Sequence, residues 1–155
     1  MHLYLDCDGV LADFDRGAAE VLGRAPAEYQ AAHGEAAMWR RLRAAPDFYQ
    51  RLPPMDDAFV LWEAVRHLRP SILTGVPRGG WADKQKLRWR DKWLPGVEMI
   101  TCASRHKALW CKPGDVLVDD RERHAPLWRD AGGVFVVHRS ARKTIARLRE
   151  IGVLA

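Results

Sequence analysis

The chain has 155 residues, 48% of them hydrophobic, and a formal net charge of +5. That length suits one domain with a small insertion, and that apolar share is enough for a core. No run of about eighteen apolar residues occurs, which excludes a membrane-spanning helix. The N-terminus leads straight into an apolar strand, with no basic segment and cleavage site, so no secretory leader is read and a cytoplasmic location is expected. Cys7, Cys102 and Cys111 are odd in number and lack metal-ligand spacing, which points to reduced thiols. The positive charge suits an anionic ligand. Its residues are scattered, as in Arg40, Arg41 and Arg43 or Arg142, Lys143, Arg147 and Arg149, and read as solvated helix faces rather than a nucleic-acid groove.

Leu3, Tyr4 and Leu5 form a first strand, which runs into Asp6-Cys7-Asp8-Gly9. From Phe14 to about Arg69 no strand is expected. Helical stretches at Arg16 to Leu22, Ala27 to His33 and Glu35 to Ala44 are punctuated by Pro26, Pro46 and Pro53-Pro54. A further helix from Asp56 carries Phe59, Val60, Ala64, Val65 and Leu68 at helical spacing and returns the chain to the core. Ser71 to Leu73 is the second strand, ending at Thr74-Gly75. Gly79-Gly80 opens a helix through Trp93. Val97 to Thr101 and Asp115 to Val118 are the third and fourth strands, the latter ending at Asp119-Asp120. A helix from about Arg123 to Ala131, a fifth strand at Val134 to Val137 and a helix capped by Ser140 complete the chain. This alternation predicts an α/β fold with a parallel, Rossmann-like sheet. Residues 1–15 and 70–155 form the core, and residues 16–69 form a helical cap with its return helix.

Ligands bind such sheets at the carboxyl ends of the strands, and the polar residues gather there. Alternation along a strand sends Asp6 and Asp8 to one side and Cys7 to the other. Like charges so close are costly, and a hard cation such as Mg²⁺ with oxygen ligands relieves them. Asp119 and Asp120 pose the same problem. Thr74 and Gly75 offer a hydroxyl and an accessible N–H to a phosphate oxygen. Lys107 can offset the carboxylates and hold a phosphate. Lys112 is the competing lysine, but Pro113-Gly114 reads as the turn into the fourth strand and puts Lys112 at its far end. Lys84 and Lys86 are read as lying on a solvated helix face. Asp13 is read as a helix cap at least as readily as a catalytic acid.

Asp6-Cys7-Asp8-Gly9-Val10-Leu11-Ala12-Asp13-Phe14 resembles the first motif of the haloacid dehalogenase superfamily, and more narrowly the 5′(3′)-deoxyribonucleotidase branch with its small bacterial and phage relatives. Thr74-Gly75 matches the second motif, Lys107 resembles the lysine of the third, and Val116 to Asp120 resembles the fourth. Arg121, Trp128-Arg129 and Gly132-Gly133 extend the likeness, and are also similar to the phosphatase domains of polynucleotide kinase-phosphatases.

The resemblance implies a phosphomonoesterase working through an aspartyl-phosphate, with a small nucleotide as the expected substrate. In it Asp6 attacks phosphorus, and Asp8 is acid and then base. Thr74, Gly75 and Lys107 hold the phosphoryl oxygens. Mg²⁺ lies on the Asp6 carboxylate, the Asp8 carbonyl and Asp120, with Asp119 as a ligand or a partner behind the ligands. Asp8 argues against dehalogenation, which needs no acid two residues after the nucleophile. Two other readings stay open: a 3′-phosphatase acting on nucleic-acid ends, and a catalytically silent phosphate-binding module. Trp39, Phe48, Tyr49 and Trp62 could stack on a base, although helical spacing favours the cap's own core. Arg40, Arg41, Arg43 and Arg51 could meet further phosphates, although surface placement is favoured. A monomer and a dimer are both open, and no membrane partner is expected.

Overall fold

The computed structural model describes residues 1–155. Its five strands are β1 (Leu3–Leu5), β2 (Ser71–Gly75), β3 (Met99–Cys102), β4 (Val116–Asp119) and β5 (Val134–Val137). They form one parallel sheet in the order β3-β2-β1-β4-β5. The chain builds outward from β1 to β2 and β3, then crosses to β4 and β5 on the other side. Between β1 and β4 the winding reverses, and a crevice opens at such a point in parallel α/β sheets. Register brings the strand ends level: Leu5 pairs with Ile72 on one side and Val118 on the other.

Alternation divides the core. Leu3, Leu5, Ile72, Val116 and Val118 join a 26-residue apolar cluster on one face. Tyr4, Leu73, Leu117 and Trp128 pack together on the other. The insertion after β1 consists of α1 (Phe14–Leu22), α2 (Pro26–His33), α3 (Glu35–Ala44) and α4 (Ala58–Val65). Phe14, Ala18, Leu22, Met38 and Leu42 belong to the same large cluster as the strands, so the insertion shares the sheet's core. Phe48 and Tyr49 are buried in it, and Trp62 packs against it half-buried. No helix is long and apolar enough to cross a membrane.

The remaining helices are α5 (Asp83–Trp93), α6 (Ala125–Asp130) and α7 (Ala141–Glu150), with a 3-10 segment at Ser104–Trp110. Helix α5 starts later than the glycine pair suggested. Gly79 and Gly80 have φ of 103° and 70°, outside the right-handed helical region, so they turn the chain first. Strand β3 starts two residues later than expected because the Val97 N–H closes a turn on the Leu94 carbonyl. Caps follow the sequence. Asp13 Oδ1 accepts from the Arg16 N–H at 3.1 Å, and Ser140 Oγ accepts from the Lys143 N–H at 3.2 Å. Each such cap contributes about 1 kcal/mol.

Candidate active site

The loop after β1 is a tight turn in which the N–H groups of Val10, Leu11 and Ala12 all point at the Cys7 carbonyl, at 2.8–3.2 Å. Gly9 has φ of 81°, and a Cβ there would lie 2.2 Å from Asp120 Oδ2. Both the backbone angle and the close approach of β4's acids therefore require glycine. The loop is held from outside, since Asp13 N–H donates to the Pro53 carbonyl at 2.7 Å and Met55 N–H to the Leu11 carbonyl at 2.8 Å. Cys7 points into the apolar cluster, and burial pushes its thiol well up, so it is inert.

Asp6, Asp119 and Asp120 converge at the β1/β4 crevice. Each offers an oxygen, and these oxygens lie within 4.8 Å of one another. Lys107 reaches them from the 3-10 segment. Its Nζ donates to Asp6 Oδ1 at 2.9 Å and to Asp119 Oδ2 at 2.8 Å. Burial pulls the lysine's pKa down, but Asp6 and Asp119 outweigh it and raise it, so the ammonium is firmly protonated. Lys112 is exposed in the turn before β4, away from this cluster, and its N–H donates to Asp115 Oδ2.

A second lysine enters the site, contrary to the expectation for it. Lys86 does not lie on a solvated helix face: it is 1% exposed. Its Nζ donates to Asp8 Oδ2 at 2.7 Å, to Thr74 Oγ1 at 2.7 Å and to the Gly75 carbonyl at 2.8 Å. It also sits 4.6 Å from the centroid of the Tyr49 ring. Burial is affordable because every proton of the ammonium has a partner. The sequence carries a signal: Ala82, at the N-cap of α5, and Lys86 and Trp89 within it fall on one helical stripe, and all three are buried. Thr74 is fully buried, and Gly75 lines the cavity. A Cβ on Gly75 would meet Ser104 Oγ at 2.0 Å, so this glycine too marks a close approach.

The carboxylates are incompletely neutralised. Asp8 Oδ1 and Asp120 Oδ1 are buried and accept no hydrogen bond. Burial raises the pKa of Asp8 despite Lys86. Burial, then Asp6, raises that of Asp119. Burial, then Asp6 and Asp119, pushes the Asp120 carboxyl up to about 8. Oxygen donors crowded together with orphaned lone pairs are what a hard divalent cation relieves, so the residues fit one.

Asp6, Asp8, Gly75, Lys107 and Asp119 line a cavity of about 920 Å³, large for a small-molecule pocket. Its walls come from the insertion (Phe14, Trp39, Arg40, Arg43, Tyr49), the β2–α5 loop (Arg78, Trp81) and the segments around Lys107 and after β4. Trp39 is only partly buried and faces this space, whereas Phe48 and Trp62 do not line it. Arg40 and Arg43 are exposed along it, while Arg41 turns away to donate to the Val21 carbonyl at 3.0 Å. Arg51 is exposed outside it.

The five-stranded parallel α/β fold is shared with solved hydrolases of haloacid dehalogenase type. The chain resembles a hydrolase from Streptococcus pneumoniae TIGR4 at 15% identity over 97% of both chains, with a TM-score of 0.52. A haloacid dehalogenase-like hydrolase from Burkholderia xenovorans LB400 is 18% identical over 92% of this chain and 87% of its own, with a TM-score of 0.54. L-2-haloacid dehalogenase from Xanthobacter autotrophicus is 15% identical over 99% of this chain and 84% of its own, with a TM-score of 0.56. No protein-family model and no curated protein matches the sequence. At these identities the likeness establishes the fold, and the chemistry has to be argued from the site.

Proposed function

We propose that the protein is a Mg²⁺-dependent phosphomonoesterase acting on a small nucleotide through an aspartyl-phosphate. The observation that carries this reading is Asp8. Its carboxyl is held by Lys86 at 2.7 Å, two residues beyond the candidate nucleophile and beside the same cavity. An alkoxide leaving group needs a proton, and a halide does not, so a positioned acid there favours phosphate ester cleavage over dehalogenation.

The steps follow from the chain's own groups. Asp6 attacks phosphorus, forming a P–O bond to its carboxylate as the ester oxygen departs. Asp8 gives that oxygen its proton, a role suited to a carboxyl that burial keeps above the usual range. Asp8 then takes a proton from the water that cleaves the aspartyl-phosphate, restoring Asp6 and releasing phosphate. Lys107 and the Thr74-Gly75 strand end hold the phosphoryl oxygens in register. The Asp6 and Asp120 carboxylates and the Asp8 carbonyl, with Asp119 beside them, would hold Mg²⁺, whose charge when bound offsets that of the phosphoryl oxygens. The insertion, residues 16–69, acts as the cap that selects the leaving group.

The test is phosphate release from a panel of ribo- and deoxynucleoside 5′- and 3′-monophosphates, a 3′-phosphorylated oligonucleotide and several sugar phosphates. Turnover should need Mg²⁺ and should vanish in Asp6→Asn. Turnover that survives that substitution removes Asp6 as nucleophile. Silence on every phosphate ester, with phosphate still bound, leaves a phosphate-binding module. Halide release from a 2-haloacid instead returns the site to dehalogenation.

A further inference from the structure

Six arginines line the cavity above the acidic floor: Arg40 and Arg43 from α3, Arg78 from the β2–α5 loop, Arg105 beside Lys107, and Arg121 and Arg123 after β4. None forms an ion pair, and none of their guanidinium groups donates a hydrogen bond within the protein. Elsewhere the arginines Arg66, Arg88, Arg90, Arg139 and Arg147 each reach a carboxylate. On the cavity wall the only acid is Glu35, the other acids being those of the floor. Gathering so many cations around one concavity raises its positive potential and is unfavourable for the empty protein. The floor's own charge does not account for all of them: Lys107 and Lys86 offset two of its four carboxylates, and six guanidinium groups exceed the two charges that remain.

The apolar part of the same wall is aromatic. Trp39 and Trp81 are partly exposed there. Trp81 lies tilted against Tyr49 with ring centroids 5.4 Å apart, and a Cβ on Gly79 would lie 3.0 Å from Arg43 Nη1 and 3.4 Å from Trp81 Cδ1. A guanidinium and an indole therefore meet across a glycine at the cavity edge, side by side for a phosphate and a base. We infer that the substrate's leaving group carries at least one further phosphate, so that the preferred ligand is a nucleotide with two phosphates rather than one. The inference rests on the phosphomonoesterase reading for which phosphate reacts. The shared chemistry has two sources: a free nucleoside 3′,5′-bisphosphate, or the 3′-phosphorylated end of a strand.

Binding separates this from catalysis. In Asp6→Asn with Mg²⁺, adenosine 3′,5′-bisphosphate should bind at least tenfold more tightly than either adenosine monophosphate, followed by tryptophan fluorescence or calorimetry. That advantage should shrink roughly tenfold in Arg43→Ala/Arg78→Ala and with added salt. Both residues are exposed, so the double variant should fold. Equal binding of the mono- and bisphosphate overturns the inference, as does an advantage that the double variant keeps. A wild-type protein that hydrolyses monophosphates as efficiently as the bisphosphate overturns it too, while leaving the phosphatase reading intact. Conversely, tight bisphosphate binding without any turnover upholds the arginine site and sinks the phosphatase. A 3′-phosphorylated oligonucleotide run in parallel identifies the source: affinity above the bisphosphate's points to strand ends, affinity below it to the free nucleotide.

Discussion

Lys107 and Lys86 reach the carboxylates from opposite faces of the sheet. Lys107 comes from the 3-10 segment on the face of Tyr4, Leu117 and Trp128, and it joins the ends of β1 and β4. Lys86 comes from α5 on the face of Leu5, Ile72 and Trp89, and it joins Asp8 to the end of β2. The first lysine lies between two acids that would otherwise repel. The second grips one acid, a hydroxyl and a carbonyl, and so fixes a direction more than it balances a charge. One buried ammonium therefore holds the candidate nucleophile, and the other orients the candidate acid.

The largest effect should follow removal of the first. Lys107→Met leaves Asp6 and Asp119 buried without their cation, which should cost about 3–5 kcal/mol in denaturant melts without metal. It should also slow phosphate release by roughly a thousandfold through lost phosphoryl stabilisation. Turnover within tenfold of the wild type would reduce Lys107 to a structural counter-ion.

Removal of the second should be more selective. In Lys86→Met, cleavage of a nucleoside phosphate should fall about a hundredfold, the usual worth of a placed acid. Cleavage of p-nitrophenyl phosphate, whose leaving group needs no proton, should fall far less. Equal losses on both would make Lys86 a packing contact and erase the distinction between the two lysines.

The smallest effect concerns the one acid that neither lysine touches. The Asp120 carboxyl is pushed up to about 8, so the folded protein keeps a proton there that the unfolded chain has released. Stability without metal should therefore decline as pH rises from about 4 toward 8 and then level off. Raised Asp8 and Asp119 carboxyls add to the decline with the same sign. Asp120→Asn should flatten the slope of melting temperature against pH, and Mg²⁺ should raise the melting temperature more at pH 8 than at pH 5. A melting temperature that climbs over that interval contradicts the assignment.

Much of this was legible in the sequence, for local reasons. Strands such as Leu3 to Leu5 and Val116 to Val118 are short apolar runs that end in paired acids, and a parallel sheet lines such ends up. Lys107 could be preferred to Lys112 because Pro113-Gly114 marks the wrong end of a strand. Lys86 is masked in the sequence, since α5 carries charge at most positions and its buried stripe consists only of Lys86 and Trp89, with Ala82 at the N-cap. Arg40 and Arg43 looked like ordinary helix surface. Only the fold of α3 over the strand ends, with the β2–α5 loop against it, turns that surface into a cavity wall.

The sheet order also governs when this chemistry can exist. Asp6 belongs to the first strand and Asp119 to the fourth, and β1 is held at its start by the His2 N–H donating to Asp115 at 2.7 Å across 113 residues of chain. During synthesis the N-terminal strand must wait with one edge open until β4 arrives. Contacts so distant in sequence form late and slowly. Lys86 and Lys107 both precede Asp119 in the chain, so the crowded acidic centre closes only after its two counter-ions have been made, and until then the waiting β1 edge is the place where misassembly should begin.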